Sequence, residues 1–506
     1  MKSIRELWEE SLKKYEGLPA VRWLNKKEIC EKTYDELGND IVSIRKGLNA
    51  EGFSEAHIAL IGNSSACWIS AYLGITTGQN TAVPLDAGLP AEDLTELLNR
   101  ADAEALFLGE KQAVLASQVK KECPKIRRIW LLSDVYIEDA LTLSDLMAAG
   151  TRAEDITGKN EDDVATIIYT SGTTGKSKGV MLTQGNLAHN VESVDYTVEP
   201  GAVLLSVLPI HHAFCLVMDW LKGFSLGAVI CVNDSYMHMV RNMGIFKPEV
   251  MLMVPLMIET IYKKLTAANP LIPKKLVANK AFGGRLNIIF TGGAHLDPFY
   301  IDKFGEYGID VLEGYGMSEC SPVISSNSPA DHKPGSIGRP LKNVELKFEN
   351  GEILVRGSSV MKGYYKMPEE TAKALKDGWL HTGDKGYIDE DGYLFINGRV
   401  KNLIIMSNGE NISPEEIENK LALHPLVGEV IVTGENNGLV ARIYPDEDVI
   451  KSKRLKEDNI KVALQAVIDA YNRVQPSYRQ ITGLIVRKEP FPRNATGKIK
   501  RQEAAA

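Results

Sequence analysis

Continuous apolar runs recur along the first two-thirds of the chain, separated by stretches of helical periodicity. His57-Ile-Ala-Leu-Ile-Gly62, Ala105-Leu-Phe-Leu108, Arg128-Ile-Trp-Leu-Leu132, Ala202-Val-Leu-Leu-Ser206 and Asn287-Ile-Ile-Phe290 lack the polar alternation of a half-exposed strand. Apolar strands alternating with helices predict parallel sheets covered on both faces, an α/β fold. From Val344 the pattern changes. Val344-Glu-Leu-Lys-Phe348 alternates strictly, and Asn350-Gly351 separates it from Glu352-Ile-Leu-Val-Arg356, which predicts a hairpin in a small antiparallel subdomain before residue 400. Residues 401–506 read as a separate α+β unit. Ser413 is placed to cap a helix with Pro414 at its first position, and Glu429-Val-Ile-Val432, Gly438-Leu-Val-Ala-Arg-Ile443 and Leu484-Ile-Val486 read as short strands. The expected division is a core of residues 1–400 and a C-terminal domain of residues 401–506.

One strand leads into unusual chemistry. Val164-Ala-Thr-Ile-Ile-Tyr169 reads as buried, and Thr170 to Gly179 then holds five hydroxyl residues, three glycines and two lysines and nothing else. Successive N–H groups in such a turn form an anion-binding concavity, and Lys176 and Lys178 add positive charge. The P-loop of nucleotide triphosphatases fails on spacing, because Gly175-Lys176-Ser177 would need glycine where the chain has Thr170. A polar linker has a similar composition. The apolar strand directly before the loop argues against a linker.

Bulk properties narrow the choice. At 506 residues the chain is too long for one ordinary core, and 44% hydrophobic with 25% charged residues is the composition of a globular protein. A net charge of −8 argues against nucleic acid as main partner. Lys451-Ser-Lys-Arg454 reads as solvated helix surface. The six cysteines are scattered with no C-x-x-C pair, so neither a metal framework nor disulfides are expected, which fits a reducing compartment. Cys320, beside Glu319, is expected to be a structural thiol. The charged N-terminus lacks the apolar core of a signal peptide. The longest apolar run, at 250–258, is interrupted by Pro255 and too short for a bilayer, so membrane contact is expected to be peripheral at most and the location cytoplasmic.

The hydroxyl- and glycine-rich loop resembles the phosphate loop of the adenylate-forming superfamily, which includes acyl-CoA synthetases, firefly luciferase and adenylation domains of peptide synthetases. Other segments resemble that family's motifs in their usual order. They are Leu208-Pro-Ile-His-His-Ala-Phe214 at the acyl pocket, Thr291-Gly-Gly-Ala294 beside adenine, Glu313-Gly-Tyr-Gly-Met-Ser-Glu319, and the ribose motif Trp379-Leu-His-Thr-Gly-Asp384. Gly398-Arg-Val-Lys-Asn402 resembles the hinge, and Pro492-Arg-Asn-Ala-Thr-Gly-Lys498 the C-terminal lysine motif. Thr33-Tyr-Asp-Glu-Leu37 is a weaker N-terminal match. Together they span residues 33 to 498.

The resemblance implies roles residue by residue. Thr170, Ser171, Gly172, Thr173, Thr174, Gly175, Lys176 and Lys178 would hold the β- and γ-phosphates of ATP. Gly292, Gly293, Ala294, Glu313, Gly314, Tyr315, Gly316, Met317 and Ser318 would surround the adenine and the adjoining phosphate, with Tyr315 stacked on the ring. Ser318 stands where the family usually has Thr, which retains the hydroxyl. Glu319 would bind Mg²⁺, a hard cation suited to carboxylate oxygen. Asp384 would accept from the ribose hydroxyls, and Arg399 would contact ribose or phosphate. Lys498 would reach between the acid and the α-phosphate, and His212 would stand at the acyl pocket. Lys401 would be the hinge on which the C-terminal domain turns, and Asn408 and Gly409 would line a pantetheine tunnel.

The implied reaction joins a carboxylic acid to AMP, releases pyrophosphate and passes the acyl group to a thiol. His211-His212-Ala213-Phe214 lacks the Asp that pairs with an amino-acid ammonium in this family, and the phrasing of several motifs is most similar to long-chain fatty acyl-CoA synthetases. A fatty acid and CoA are expected. An acyl carrier protein or a peptide-synthetase carrier with its phosphopantetheine is the alternative acceptor. A nucleotide-binding scaffold without activity is disfavoured because Glu319, Asp384, Arg399 and Lys498 are all present.

Overall fold

The computed structural model describes residues 2–170, 177–266, 271–406, 411–435, 438–493 and 499–501. The chain forms two compact units, residues 1–346 with 355–380, and residues 347–354 with 381–506.

Two sheets organise the larger unit. A nine-stranded sheet runs in the order Arg339–Pro340, Val323–Ser326, Asp310–Gly316, Ile288–Thr291, Val250–Met253, Val203–Ser206, Val229–Val232, Pro19–Asn25 and Glu28–Thr33. Its strands from Asp310–Gly316 through Pro19–Asn25 are parallel, so their C-terminal ends open on one edge. That edge is where the loops of an open α/β sheet gather ligands. An eight-stranded sheet has the order Gly363–Tyr364, Lys178–Thr183, Val164–Thr170, Thr81–Leu85, His57–Ile61, Ala103–Leu108, Arg128–Leu131 and Leu141–Thr142. It is parallel except where Lys178–Thr183 and Gly363–Tyr364 join antiparallel.

Local chemistry explains the framing helices. Helix Ala66–Thr76 is apolar on every side and buries Trp68 and Tyr72 completely. Burying one such side chain contributes about 1.5–3 kcal/mol relative to leaving it exposed. Thr33 and Glu36 form a capping box at the start of helix Tyr34–Ala50. The Thr-x-x-Glu spacing at the N-terminal motif therefore has a structural cause: two orphan helix N–H groups are satisfied reciprocally.

In the smaller unit, Asn350 and Gly351 take positive φ values of 51° and 79°, the backbone of a tight two-residue hairpin turn. Strands Val427–Glu435, Gly438–Pro445 and Ile481–Val486 form a sheet whose core is shared with Ile417 and Leu421 of helix Pro414–Ala422 and with Leu464 and Ile468 of helix Glu457–Asn472. Ser413 occupies the N-cap position as the sequence suggests, but makes no capping bond. Its Oγ turns instead to Glu415 Oε2, 3.0 Å away. Helix Glu447–Lys453 has no buried residue, in keeping with a solvated Lys451 and Lys453.

Candidate active site

The hydroxyl-rich loop is the connection of an antiparallel hairpin. Strand Val164–Thr170 enters it and Lys178–Thr183 leaves it, with Thr170 opposite Lys178 and Tyr169 opposite Gly179. Ser171, Gly172, Thr173, Thr174, Gly175 and Lys176 lie outside the described residues, but their flanks are fixed. Arg100 Nη2 donates to Ser177 O at 2.5 Å on one side. On the other, Lys178 Nζ meets Glu370 Oε2 at 2.6 Å and lies 4.9 Å from the Tyr364 ring centroid. Hydrogen bonds from Lys178 and Lys373 hold the Glu370 carboxyl down at about 2.

Glu319 sits on a single 3₁₀ turn, Ser318–Cys320, directly after strand Asp310–Gly316. Tyr364 Oη donates to Glu319 Oε1 at 2.8 Å, so the carboxylate and Lys178 are joined through one phenol. Cys320 is fully buried, which makes it a structural thiol.

The residues that the resemblance gives to the adenine come together because two parallel strands end side by side. Thr291 pairs with Glu313 in register, Gly292 follows beside Gly314, and Gly293 and Ala294 continue the loop after it. A Cβ on Gly292 would stand 3.0 Å from Gly314 O, and one on Gly316 only 2.0 Å from Pro322 O. Side chains there would crowd the neighbouring backbone. Tyr315 is buried, and Met317 is tied by its N–H to Pro322 O at 2.9 Å. Glu313 differs from its neighbours. Burial drives its carboxyl up to about 8, against N–H donors from Leu296 and Gly335 that pull it down. Among the described residues its Oε2 and Thr291 Oγ1 have no hydrogen-bond partner, which leaves two buried polar atoms at this strand end.

His211 and His212 follow strand Val203–Ser206 of the same sheet, their rings 4.1 Å apart. Burial and then His212 push His211 down to about 4, against the Asp86 carboxylate 3.8 Å away, so it is neutral near pH 7. Phe214 begins a π-helical segment, Phe214–Leu221, and its Cζ lies 3.9 Å from the Cβ position of Gly292. Phe214 therefore lies close to where a side chain on Gly292 would stand.

In the smaller unit, Asp384 and Arg399 face each other across an antiparallel ladder, with Arg399 Nε 3.1 Å from Asp384 Oδ1. Asp384 is 9% exposed. Lys401 lies exposed on the turn Val400–Asn402. Asn408, Gly409 and Lys498 are outside the described residues.

Residues 8–365 match the AMP-binding enzyme family, and residues 401–506 match the AMP-binding enzyme C-terminal domain. The chain belongs to the AMP-binding enzyme family. Its activity is that of an AMP-forming acid–thiol ligase. The long-chain-fatty-acid–CoA ligase FadD15 of Mycobacterium bovis is 28% identical over 488 residues, spanning 86% of this chain and 80% of its own. A long-chain-fatty-acid–CoA ligase of Escherichia coli O157:H7 is 31% identical over 402 residues, spanning 74% of this chain and 67% of its own. Among solved structures, an anthranilate CoA ligase in complex with anthranoyl-AMP aligns with a TM-score of 0.85 at 21% identity, covering 99% of this chain and 96% of that one. ATP-bound MatB from Rhodopseudomonas palustris aligns with a TM-score of 0.80 at 25% identity, covering 98% and 97%. Among the described residues, no helix of this AMP-binding enzyme is long and apolar enough to cross a membrane.

Tyr364 and Glu370 were not among the residues that sequence motifs point to. Neither lies in a phosphate or metal pattern, and 192 positions separate Glu370 from the lysine it holds.

Proposed function

We propose that this AMP-binding enzyme activates a fatty acid with ATP and passes the acyl group to CoA. The observation that carries the ATP half is the convergence of Lys178, Tyr364, Glu319 and Glu370 at the end of the hydroxyl-rich hairpin. The fatty acid rests on the names of the relatives and on the acyl-side segment. No Asp follows His212, and Asp219 on the apolar Phe214–Leu221 segment is turned to Ser206 and Cys215.

A carboxylate oxygen attacks the α-phosphorus, the bond from that phosphorus to the β-bridging oxygen breaks, and pyrophosphate leaves. A thiolate then attacks the acyl carbonyl and AMP departs. The first step brings an anion to a polyanion, so the protein's contribution is positioning and charge neutralisation. Thr170, residues 171–176 and Lys178 hold the β- and γ-phosphates. The glycine-lined strand ends 292–294 and 313–316 admit the adenine, with Tyr315 against it, and Ser318 offers a hydroxyl to phosphate. Asp384 accepts from the ribose hydroxyls and Arg399 steadies it. Lys498 bridges the acid and the α-phosphate. His212 borders the acid.

Glu319 suits Mg²⁺. Its carboxylate is partly exposed, one oxygen receives Tyr364, and carboxylate oxygen beside substrate phosphate is the donor set this cation takes. Bound there, Mg²⁺ supplies charge neutralisation at the phosphates. Residues 401–506 act as a domain turning at Lys401 between the two half-reactions, and Asn408 and Gly409 line the path of the pantetheine arm in the second.

The test is ATP-dependent pyrophosphate release over short- to long-chain fatty acids and aryl acids, with and without CoA. Release by a fatty acid, accelerated by CoA, is expected. Release that CoA leaves unchanged moves the acceptor to a carrier protein, and release by aryl acids alone overturns the fatty acid.

A further inference from the structure

A twelve-residue segment, residues 363–374, reaches two charged groups assigned to the phosphate side of the site, Lys178 and Glu319. Its first part is pinned by backbone. Gly363 and Tyr364 pair antiparallel with Met181 and Val180, Lys362 N–H donates to Met181 O at 3.0 Å, and Tyr365 N–H donates to Gly179 O at 2.8 Å. Helix Pro368–Ala374 follows, with Glu370 in its first turn. The segment is therefore built onto the very strand that carries Lys178.

Two side chains project from this frame. Tyr364 is buried, its hydroxyl donates to Glu319 Oε1 at 2.8 Å, and its ring centroid lies 4.9 Å from Lys178 Nζ. Glu370 Oε2 accepts from Lys178 Nζ at 2.6 Å, while Glu370 Oε1 accepts from Lys373 Nζ at 2.7 Å. Neither member of the Lys178–Glu370 pair is a loose surface partner, since their side chains are only 16% and 23% exposed.

We infer that Tyr364 and Glu370 are positioning residues for nucleotide binding: Glu370 aims the Lys178 ammonium, and Tyr364 aims the Glu319 carboxylate. The inference rests on the reading of Lys178 and Glu319 given above. A lysine is a compact charge on a flexible four-carbon stem, and an unrestrained one must be ordered by the ligand itself. An ammonium has three N–H donors. With one given to Glu370 and the tyrosine ring below, the remaining donors are set in direction before a phosphate arrives. A carboxylate beside a phosphate site also repels the incoming anion. Its retention here makes sense only if the gain in order exceeds that repulsion, and this fixes the sign of the test. Tyr364 ties up Oε1 of Glu319 and so leaves Oε2 to face a cation from one direction.

The experiment is calorimetric titration of the full chain with ATP at several Mg²⁺ concentrations, which needs no acid substrate. Tyr364→Phe keeps the ring and loses only the hydroxyl. It is expected to raise the Mg²⁺ concentration for half-maximal ATP binding by about tenfold, the low end for a lost hydrogen bond to a charged group. Glu370→Gln is expected to weaken ATP binding by about tenfold on the same grounds. Both effects should vanish in backgrounds that lack the group acted upon, namely Tyr364→Phe within Glu319→Gln and Glu370→Gln within Lys178→Ala. A purely structural role would leave them undiminished there and would lower the melting temperature as well. If Lys178→Ala and Glu319→Gln bind ATP and Mg²⁺ like the parent, the underlying site reading is wrong. If those two weaken binding while Tyr364→Phe is unchanged and Glu370→Gln is unchanged or tighter, the site reading stands and the positioning inference is overturned.

Discussion

Asp219 is a carboxyl with no exposure at all, held by Ser206 Oγ at 2.9 Å through one oxygen while its Oδ1 has no partner among the described residues. Burial drives it up to about 7, against the hydrogen bonds from Ser206 and Cys215. A free Asp titrates near 3.9. The folded state therefore holds this proton more tightly than the unfolded chain. Its stabilising contribution is complete below about pH 4 and is lost as pH rises toward 7, at roughly 1.4 kcal/mol per unit. Asp219→Asn removes the titration. Chemical denaturation between pH 4 and 7 should show the variant gaining on the parent at each step, and parallel stability curves would refute the tightly held proton. Lys498 makes the opposite kind of prediction, carried by motif alone. Lys498→Ala should slow adenylate formation about a hundred- to a thousandfold, the cost of one transition-state donor, yet still transfer a supplied acyl-adenylate to CoA. Unchanged pyrophosphate release would remove Lys498 from the first step. The contrast shows which residues a sequence exposes. Lys498, Glu319 and Asp384 sit in short contiguous motifs. Asp219, Tyr364 and Glu370 become visible only when the fold brings Ser206 or Lys178 against them.

At the scale of elements, apolar runs located the strands well. His57–Ile61, Val203–Ser206 and Ile288–Thr291 fall within a residue or two of the runs that predict them. Apolarity does not encode neighbours, so the order of the nine strands and the junction of Thr291 with Glu313 could not be read from it. Ser413 shows the same limit at a helix start: the cap composition was present, yet its hydroxyl donates to Glu415 and accepts no helix N–H. The strand Leu394–Arg399 offers a test of how tightly that helix start is packed. Gly398 has φ 144°, and a Cβ there would meet Ser413 Oγ at 2.3 Å and Ser413 Cβ at 2.8 Å. Gly398→Ala should destabilise the smaller unit by about 1–3 kcal/mol through overpacking and backbone strain. It should also misplace Arg399, the next residue. Adding Ser413→Gly should recover part of the melting temperature; a single variant as stable as the parent would mean the clash relaxes freely.

For the whole molecule, two half-reactions with different nucleophiles must use one acyl group. A carboxylate attacks phosphorus first, and a thiolate attacks carbon afterwards, so groups assembled for the first step obstruct the second. Under the proposed function, a turn of residues 401–506 at Lys401 would resolve the conflict by exchanging one set for another, and hinges of this kind concentrate the φ/ψ change in a few residues at element ends. Lys401 has that location, on the short turn Val400–Asn402 after strand Leu394–Arg399. Proline fixes φ near −65° and restricts the residue before it, so Lys401→Pro narrows the conformations open to the turn Val400–Asn402. The expected outcome is a split. One half-reaction, measured as pyrophosphate release or as thioester formation from supplied acyl-adenylate, should persist within a fewfold of the parent. The other should fall by at least tenfold, since an added barrier of 1.4 kcal/mol already costs that much. The melting temperature serves as the control, because a misfolded domain would lose both activities together with stability. Retention of both half-reactions in a stable variant would place the pivot elsewhere in the chain. Which half survives would identify the state that the restricted turn permits.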